Sequence, residues 1–114
     1  MQRRTLALGR LKTGQMNRTE QAYAALLEQR RAAGLVLWWK FEGLKLRLAD
    51  NTFYSPDFNV LTAEGFLECH EVKGFWADDA RVKVKVAASL YPMRFIAVTA
   101  RPNSKGGGWD EEEF

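Results

Sequence analysis

Apolar and polar positions follow two rhythms along this chain. Ala22, Tyr23, Leu26, Leu27 and Ala33 recur at helical spacing. Asn17 followed three residues later by Glu20 forms a capping arrangement, with Asn in place of the usual Ser or Thr, and Gly34 supplies the stop. The spacing predicts a helix over residues 17–33. The rhythm then changes to that of strands. Val36 to Phe41 is mostly aliphatic or aromatic, and after Glu42-Gly43 the run Leu44-Lys45-Leu46-Arg47-Leu48 alternates strictly between apolar and basic. Asp50-Asn51 marks a turn. Phe53 to Leu61 is extended but interrupted by Pro56, which cannot donate to a ladder and so implies an edge or a bulge. Glu64-Gly65 closes a hairpin into a last strand of the meander, Phe66 to Lys73, ended by Gly74.

The segment from Asp78 to Leu90 carries both rhythms, because Arg81-Val82-Lys83-Val84-Lys85-Val86 alternates like a strand. Acids at its start, a helical face of Val84, Ala87, Ala88 and Tyr91, and Pro92 as a stop decide for a helix. Arg94 to Thr99 reads as a largely buried strand. The expected fold class is α/β: a helix, a β-meander of three to four strands, a helix and a strand, making a mixed sheet flanked by helices. Residues 1–16 read as a basic flexible arm, 17–100 as the folded domain, and 101–114 as a flexible glycine linker with an acidic, aromatic-tipped tail.

Length and composition narrow the function. At 114 residues, 46% hydrophobic and 27% charged, the chain has the makings of one globular domain and too little length for two separate cores. No apolar run is long enough for a membrane helix and no signal-peptide pattern opens the chain, so the expectation is a cytoplasmic protein without membrane association. Cys69 is the single cysteine, which excludes an internal disulfide, and no Cys/His cluster offers a zinc site. Net charge is +3, unevenly spread: residues 1–50 hold ten Lys or Arg against four acids, residues 51–114 seven against ten. A basic first half suits a polyanion partner, with Arg3 and Arg4 on the arm and Lys45 and Arg47 on a strand as backbone contacts.

The residues with most chemical content are Pro56-Asp57 and, fourteen positions after the aspartate, Glu71-Val72-Lys73. In a strand Glu71 and Lys73 project from one face. Paired through the Glu64-Gly65 turn, the strand of Asp57 brings its carboxylate towards Glu71. Two carboxylates and an amine then converge, a set that suits magnesium and leaves positions for water and phosphate oxygens. A turn aspartate beside proline and a surface ion pair would account for the same residues without chemistry. His70, the only histidine, falls on the opposite face and reads as structural. Cys69 shares the face of Glu71 and Lys73 but has no second soft ligand. Trp38, Trp39, Phe75 and Trp76 read as core or interface, with Phe75-Trp76 close enough to the motif in sequence to touch a substrate.

This arrangement resembles the PD-(D/E)xK nuclease superfamily, the restriction-endonuclease-like fold shared with archaeal Holliday junction resolvases, over about residues 17–100. Asn17-Arg18-Thr19-Glu20, Tyr54-Ser55-Pro56-Asp57-Phe58, His70-Glu71-Val72-Lys73-Gly74 and Tyr91-Pro92 look like a family of small phage and prophage proteins assigned to it. The resemblance implies a magnesium-dependent DNA endonuclease, with Mn2+ as substitute, selective for branched structures and acting in phage DNA recombination, repair or replication in the host-cell cytoplasm. It implies Asp57 and Glu71 as metal-binding carboxylates, Lys73 as the catalytic lysine, the Val72 carbonyl as a further ligand, and Glu20 as an additional acid aimed at the metal. Capping explains Glu20 equally well, and both roles hold only if the helix start faces the sheet end that carries Asp57. Lys83 and Lys85 lie where some superfamily members place a basic residue near the scissile phosphate. Cleavage of two strands would take two sites, hence an expected homodimer. The rival expectation is a noncatalytic nucleic-acid-binding or replication-partner module that keeps the fold. The tail Trp109 to Phe114 is similar to the acidic tips of single-stranded-DNA-binding proteins, which implies a replication or recombination protein as partner.

Overall fold

The computed structural model describes residues 14–73 and 78–114; Arg3 and Arg4, the arm up to residue 13, and Gly74, Phe75 and Trp76 lie outside the described residues. Helix α1 spans Arg18–Ala32. Its capping box is complete: the Glu20 amide donates to Asn17 Oδ1 at 2.8 Å and the Asn17 amide to Glu20 Oε1 at 2.9 Å. Gly34, at φ +82°, takes the left-handed conformation that ends the helix.

Strands β1 (Val36–Phe41), β2 (Leu46–Ala49), β3 (Thr52–Tyr54), β4 (Phe58–Thr62) and β5 (Leu67–Lys73) follow, then helix α2 (Asp78–Leu90), β6 (Arg94–Ala100), a short 3-10 turn (Asn103–Lys105) and β7 (Trp109–Glu113). Five strands form a mixed sheet in the order β1-β4-β5-β6-β7, in which β5 and β6 run parallel and every other pair antiparallel. The fold is thus α/β, as the element pattern predicts.

Two expectations need correcting. The meander is not continuous: β2 and β3 leave the main sheet and form a two-stranded sheet of their own. Pro56, fully buried between β3 and β4, has no amide to continue a ladder, and the extended run splits there into strands belonging to different sheets. The second correction concerns residues 101–114, which are not a flexible linker and tail. Gly106, Gly107 and Gly108 all adopt positive φ and turn the chain back, so that Trp109–Glu113 pairs antiparallel with β6. Two acids of the segment are paired, Glu112 with Arg81 at 2.7 Å and Asp110 with Arg101, at the start of the same segment, at 3.4 Å.

Two apolar clusters hold the sheet between the helices. On one face Tyr23, Ala24 and Leu27 of α1 pack on Val36, Phe58, Val60, Val72 and Val98, with Trp39, Phe41 and Trp109 at the margin. On the other, Val84 and Ala87 of α2 pack with Leu46, Tyr54, Cys69 and Phe95, and Phe114 joins them. The helical reading of residues 78–90 follows from this burial: Val84 is sealed while Val82 and Val86, which strand alternation would put on the same side, are exposed. Among the described residues no helix is long and apolar enough to cross a membrane.

His70 faces α1, away from Glu71, and has a structural setting there. Its Nε2 and Glu68 Oε1 are 2.9 Å apart, and its Nδ1 lies 2.6 Å from the Tyr23 hydroxyl. Since the carboxylate only accepts, Nε2 carries the proton and Nδ1 accepts from Tyr23. Burial holds the Tyr23 hydroxyl well above its ordinary pKa, which keeps it a donor. Arg94 completes the chain at Glu68 Oε2, 3.3 Å away. Tyr23→Phe leaves a buried ring nitrogen without its donor, and is expected to cost about 1–2 kcal/mol and lower Tm by roughly 5 °C. An unchanged melting temperature would show that this bond contributes nothing.

Candidate active site

The hairpin joining β4 to β5 makes the site. Phe58 pairs with His70, so one step further along the same register Asp57 meets Glu71 at the end of the hairpin. Asp57 Oδ2 accepts from the Val72 amide at 2.8 Å, which ties the aspartate to the strand that carries the other two residues. Glu71 and Lys73 share a face, as alternation predicts, and their side chains meet at 3.0 Å through Glu71 Oε2. Glu71 Oε1 accepts from the Tyr54 hydroxyl at 2.6 Å. Glu71 is buried and Lys73 half-buried.

The electrostatics show a shortage of positive charge. Burial, then the Glu71 charge and more weakly Glu20, push the Asp57 carboxyl from its usual value up to about 8, against the opposing pull of the Val72 amide and Lys73. Burial works against the Lys73 ammonium, but Glu71, Asp57 and Glu20 together outweigh it and hold its pKa above the ordinary lysine value. Lys73 is therefore a fixed cation. Tyr54, raised strongly by burial and by the neighbouring Glu71, stays a hydrogen-bond donor.

Glu20 feels the same cluster, because its charge acts on both Asp57 and Lys73. The start of α1 accordingly faces the sheet end that carries Asp57. Its carboxylate is nevertheless turned back onto the Asn17 amide, so capping is the role its contacts show. Among the described residues no group of three or more His, Cys, Asp or Glu side chains is arranged to hold a metal ion. The donor set at the hairpin end is the pair Asp57 and Glu71. Such a pair fits magnesium, which keeps several waters and takes one or two carboxylates along with phosphate oxygens. Cys69 does not add to it: burial raises its thiol to about 11, and Asn59 Nδ2 donates to its sulfur at 3.4 Å.

The basic candidates separate. Lys45 lies over the Phe53 ring, 4.7 Å from its centroid, and Lys83 Nζ reaches the Phe53 carbonyl at 3.4 Å. Arg47 pairs with Asp50 at 3.6 Å, and its carbonyl accepts from the Tyr91 hydroxyl at 2.7 Å. Lys85 lies on the other side of α2, where its charge acts on Glu112. Two residues escape a reading of the sequence alone: Tyr54, the partner of Glu71, and Phe53 beside it. Their opposite orientations are ordinary strand alternation, but which of them meets β5 depends on how the hairpin of β2 and β3 docks. No protein-family model matches the chain, and no curated protein or solved structure matches it significantly.

The half-buried Asp57 carboxylate carries a stability cost with a defined sign. A folded-state pKa raised from 3.8 to about 8 means the folded protein binds the proton more tightly, so this group's contribution falls as pH rises through that window and stays lost above it. Asp57→Asn keeps an acceptor for the Val72 amide and removes the charge. In EDTA at pH 9 it is expected to melt above wild type by about 4 °C, roughly 1 kcal/mol, with the gap closing towards pH 5. A lower melting temperature than wild type at pH 9 would mean the carboxylate stabilises the fold.

Proposed function

We propose that this chain is a metal-dependent DNA endonuclease of the PD-(D/E)xK type, selective for branched or otherwise irregular DNA. The observation that carries the reading is the convergence of Asp57, Glu71 and Lys73 at the end of one hairpin, with the Glu20 charge beside them. The order α1, β1, β4, β5, α2, β6, with β6 parallel to β5, supports a restriction-endonuclease-like topology. Asp57 and Glu71 would hold Mg2+ or Mn2+ together with the Val72 carbonyl. When bound, the cation supplies an activated water and offsets charge on the scissile phosphate.

The chain's own residues have separate tasks. Tyr54 fixes Glu71 by donating to Oε1, leaving the carboxylate one orientation. Lys73 keeps its proton and therefore acts as a charge that can donate to a phosphate oxygen, not as a base. The half-buried setting of Asp57 beside buried Glu71 weakens competing hydration and strengthens each charge interaction within the cluster.

A second reading, a noncatalytic DNA-binding module, is favoured by one feature: both Glu71 oxygens already have partners, in Tyr54 and Lys73. Incubation with labelled junctions, flaps, duplexes and single strands, with Mg2+ and with EDTA, separates the two. Cleavage in Mg2+ alone is the expected result; binding without any cut leaves the module. Affinity should fall steeply with salt, since each phosphate neutralised by Lys or Arg releases counterions. The tail is used within the fold, where Trp109 and Phe114 pack on the two cores, so the partners proposed are DNA and a second copy of the chain.

A further inference from the structure

We propose that Phe53, flanked by Lys45 and Lys83, is a stacking platform for an unpaired nucleobase of a DNA strand whose phosphates the two lysines hold. Resting on the nuclease reading, this places unpaired bases beside the phosphate at Asp57, Glu71 and Lys73, so that the substrate is a single strand or a branch point and not an uninterrupted duplex.

Phe53 is 42% exposed although it belongs to a strand whose next residue, Tyr54, is buried against the core. Two ammonium groups from different elements converge on it, one over the ring and one at its carbonyl. Among the described residues neither is paired with a carboxylate, whereas Arg81, Arg94 and Arg101 each are. An exposed ring with one ammonium over it and a second at its carbonyl, neither paired with a carboxylate among the described residues, is the composition that binds single strands: the exposed part of the ring takes a base of any identity and the cations take the backbone.

The platform is also held rigidly. The Tyr91 hydroxyl fastens the hairpin to the end of α2 through the Arg47 carbonyl, while Leu46 and Tyr54 anchor its inner face in the α2 core. Its relation to the candidate active site is covalent and short. Tyr54 donates to Glu71, and Phe53 is the adjacent residue on the opposite face of β3. A strand crossing Glu71 and Lys73 on the α2 side of the sheet therefore meets the hairpin that bears Phe53. The alternative, a half-exposed phenylalanine covered by a passing lysine, gives the ring no preference between single and double strands.

The test measures binding of full-length protein in EDTA, so that cleavage plays no part, to a fluorescent thymidine 12-mer, the same-length blunt duplex and a uridine 12-mer. Phe53→Ala is expected to lose about tenfold in affinity for the thymidine strand and less than twofold for the duplex. Phe53→Trp should restore single-strand affinity and show indole quenching on binding. Equal losses on both ligands, or none on the single strand, overturn the platform; binding confined to the uridine strand overturns the assignment to DNA. Selective loss on the thymidine strand in a protein that cuts nothing with Mg2+ keeps the platform and removes the nuclease. Cutting of duplex by Phe53→Ala at the wild-type rate, with unchanged single-strand affinity, does the reverse.

Discussion

Glu71→Gln and Lys73→Met each lower Mg2+-dependent cleavage by about 10³-fold or more, with Tm within a few degrees of wild type. Gln still accepts from Tyr54 but removes the charge that faces Lys73 and that a cation would need. Met keeps most of the lysine stem and deletes the ammonium. The two changes are separable by metal: Glu71→Gln should also weaken Mn2+ binding in calorimetry, while Lys73→Met, which relieves the site of a competing cation, should leave it intact or tighter. Wild-type-like cleavage by purified Glu71→Gln would sink the nuclease assignment. Loss of cleavage with unfolding would not count, so the melting temperature is measured alongside.

Truncation after Gly108 is expected to destabilise the protein by about 4 kcal/mol, a fall in Tm of roughly 15 °C, because it removes two large aromatics from packed positions. Trp109 meets Tyr23 of α1 edge-on with ring centroids 5.0 Å apart, and Tyr23 is wholly buried. Phe114 packs in the α2 core, its amide donates to the Phe95 carbonyl at 2.9 Å, and Arg81 lies over its ring. The strand between them pairs with β6 along its length. Replacing exposed Glu111 and Glu113 by Ser should cost far less, since the ion pairs described for the tail run through Asp110 and Glu112 and surface changes are usually within about 0.5 kcal/mol. Thermal unfolding of both variants checks this. A truncated chain that melts with the full-length protein would show the tail to be dispensable and return it to the role of a mobile acidic end.

Much of this architecture is legible because it is local. The cap at Asn17 and Glu20, the stop at Gly34 and the hairpin at Glu64-Gly65 each involve residues a few positions apart, whose propensities act before any tertiary contact forms. The Asp57–Glu71 meeting belongs to the same class, since one hairpin and the period of two set it. The tail reads differently by composition and by structure: a glycine run followed by acids has the makings of a solvated end, and only the presence of a free β6 edge makes pairing worth more than hydration.

The chain's local patterns therefore determine the helices, the strand faces and the hairpin that joins Asp57 to Glu71 and Lys73, because periodicity and turn chemistry need no distant partner. The packing decides the rest. Docking of the β2–β3 sheet on α2 puts Tyr54 on Glu71 and leaves Phe53 outside with Lys45 and Lys83; the seat of α1 brings Glu20 to the cluster; β7 closes the sheet edge. Each of these joins residues far apart in sequence, and their register is chosen by burial of the whole core, which no short window of residues encodes.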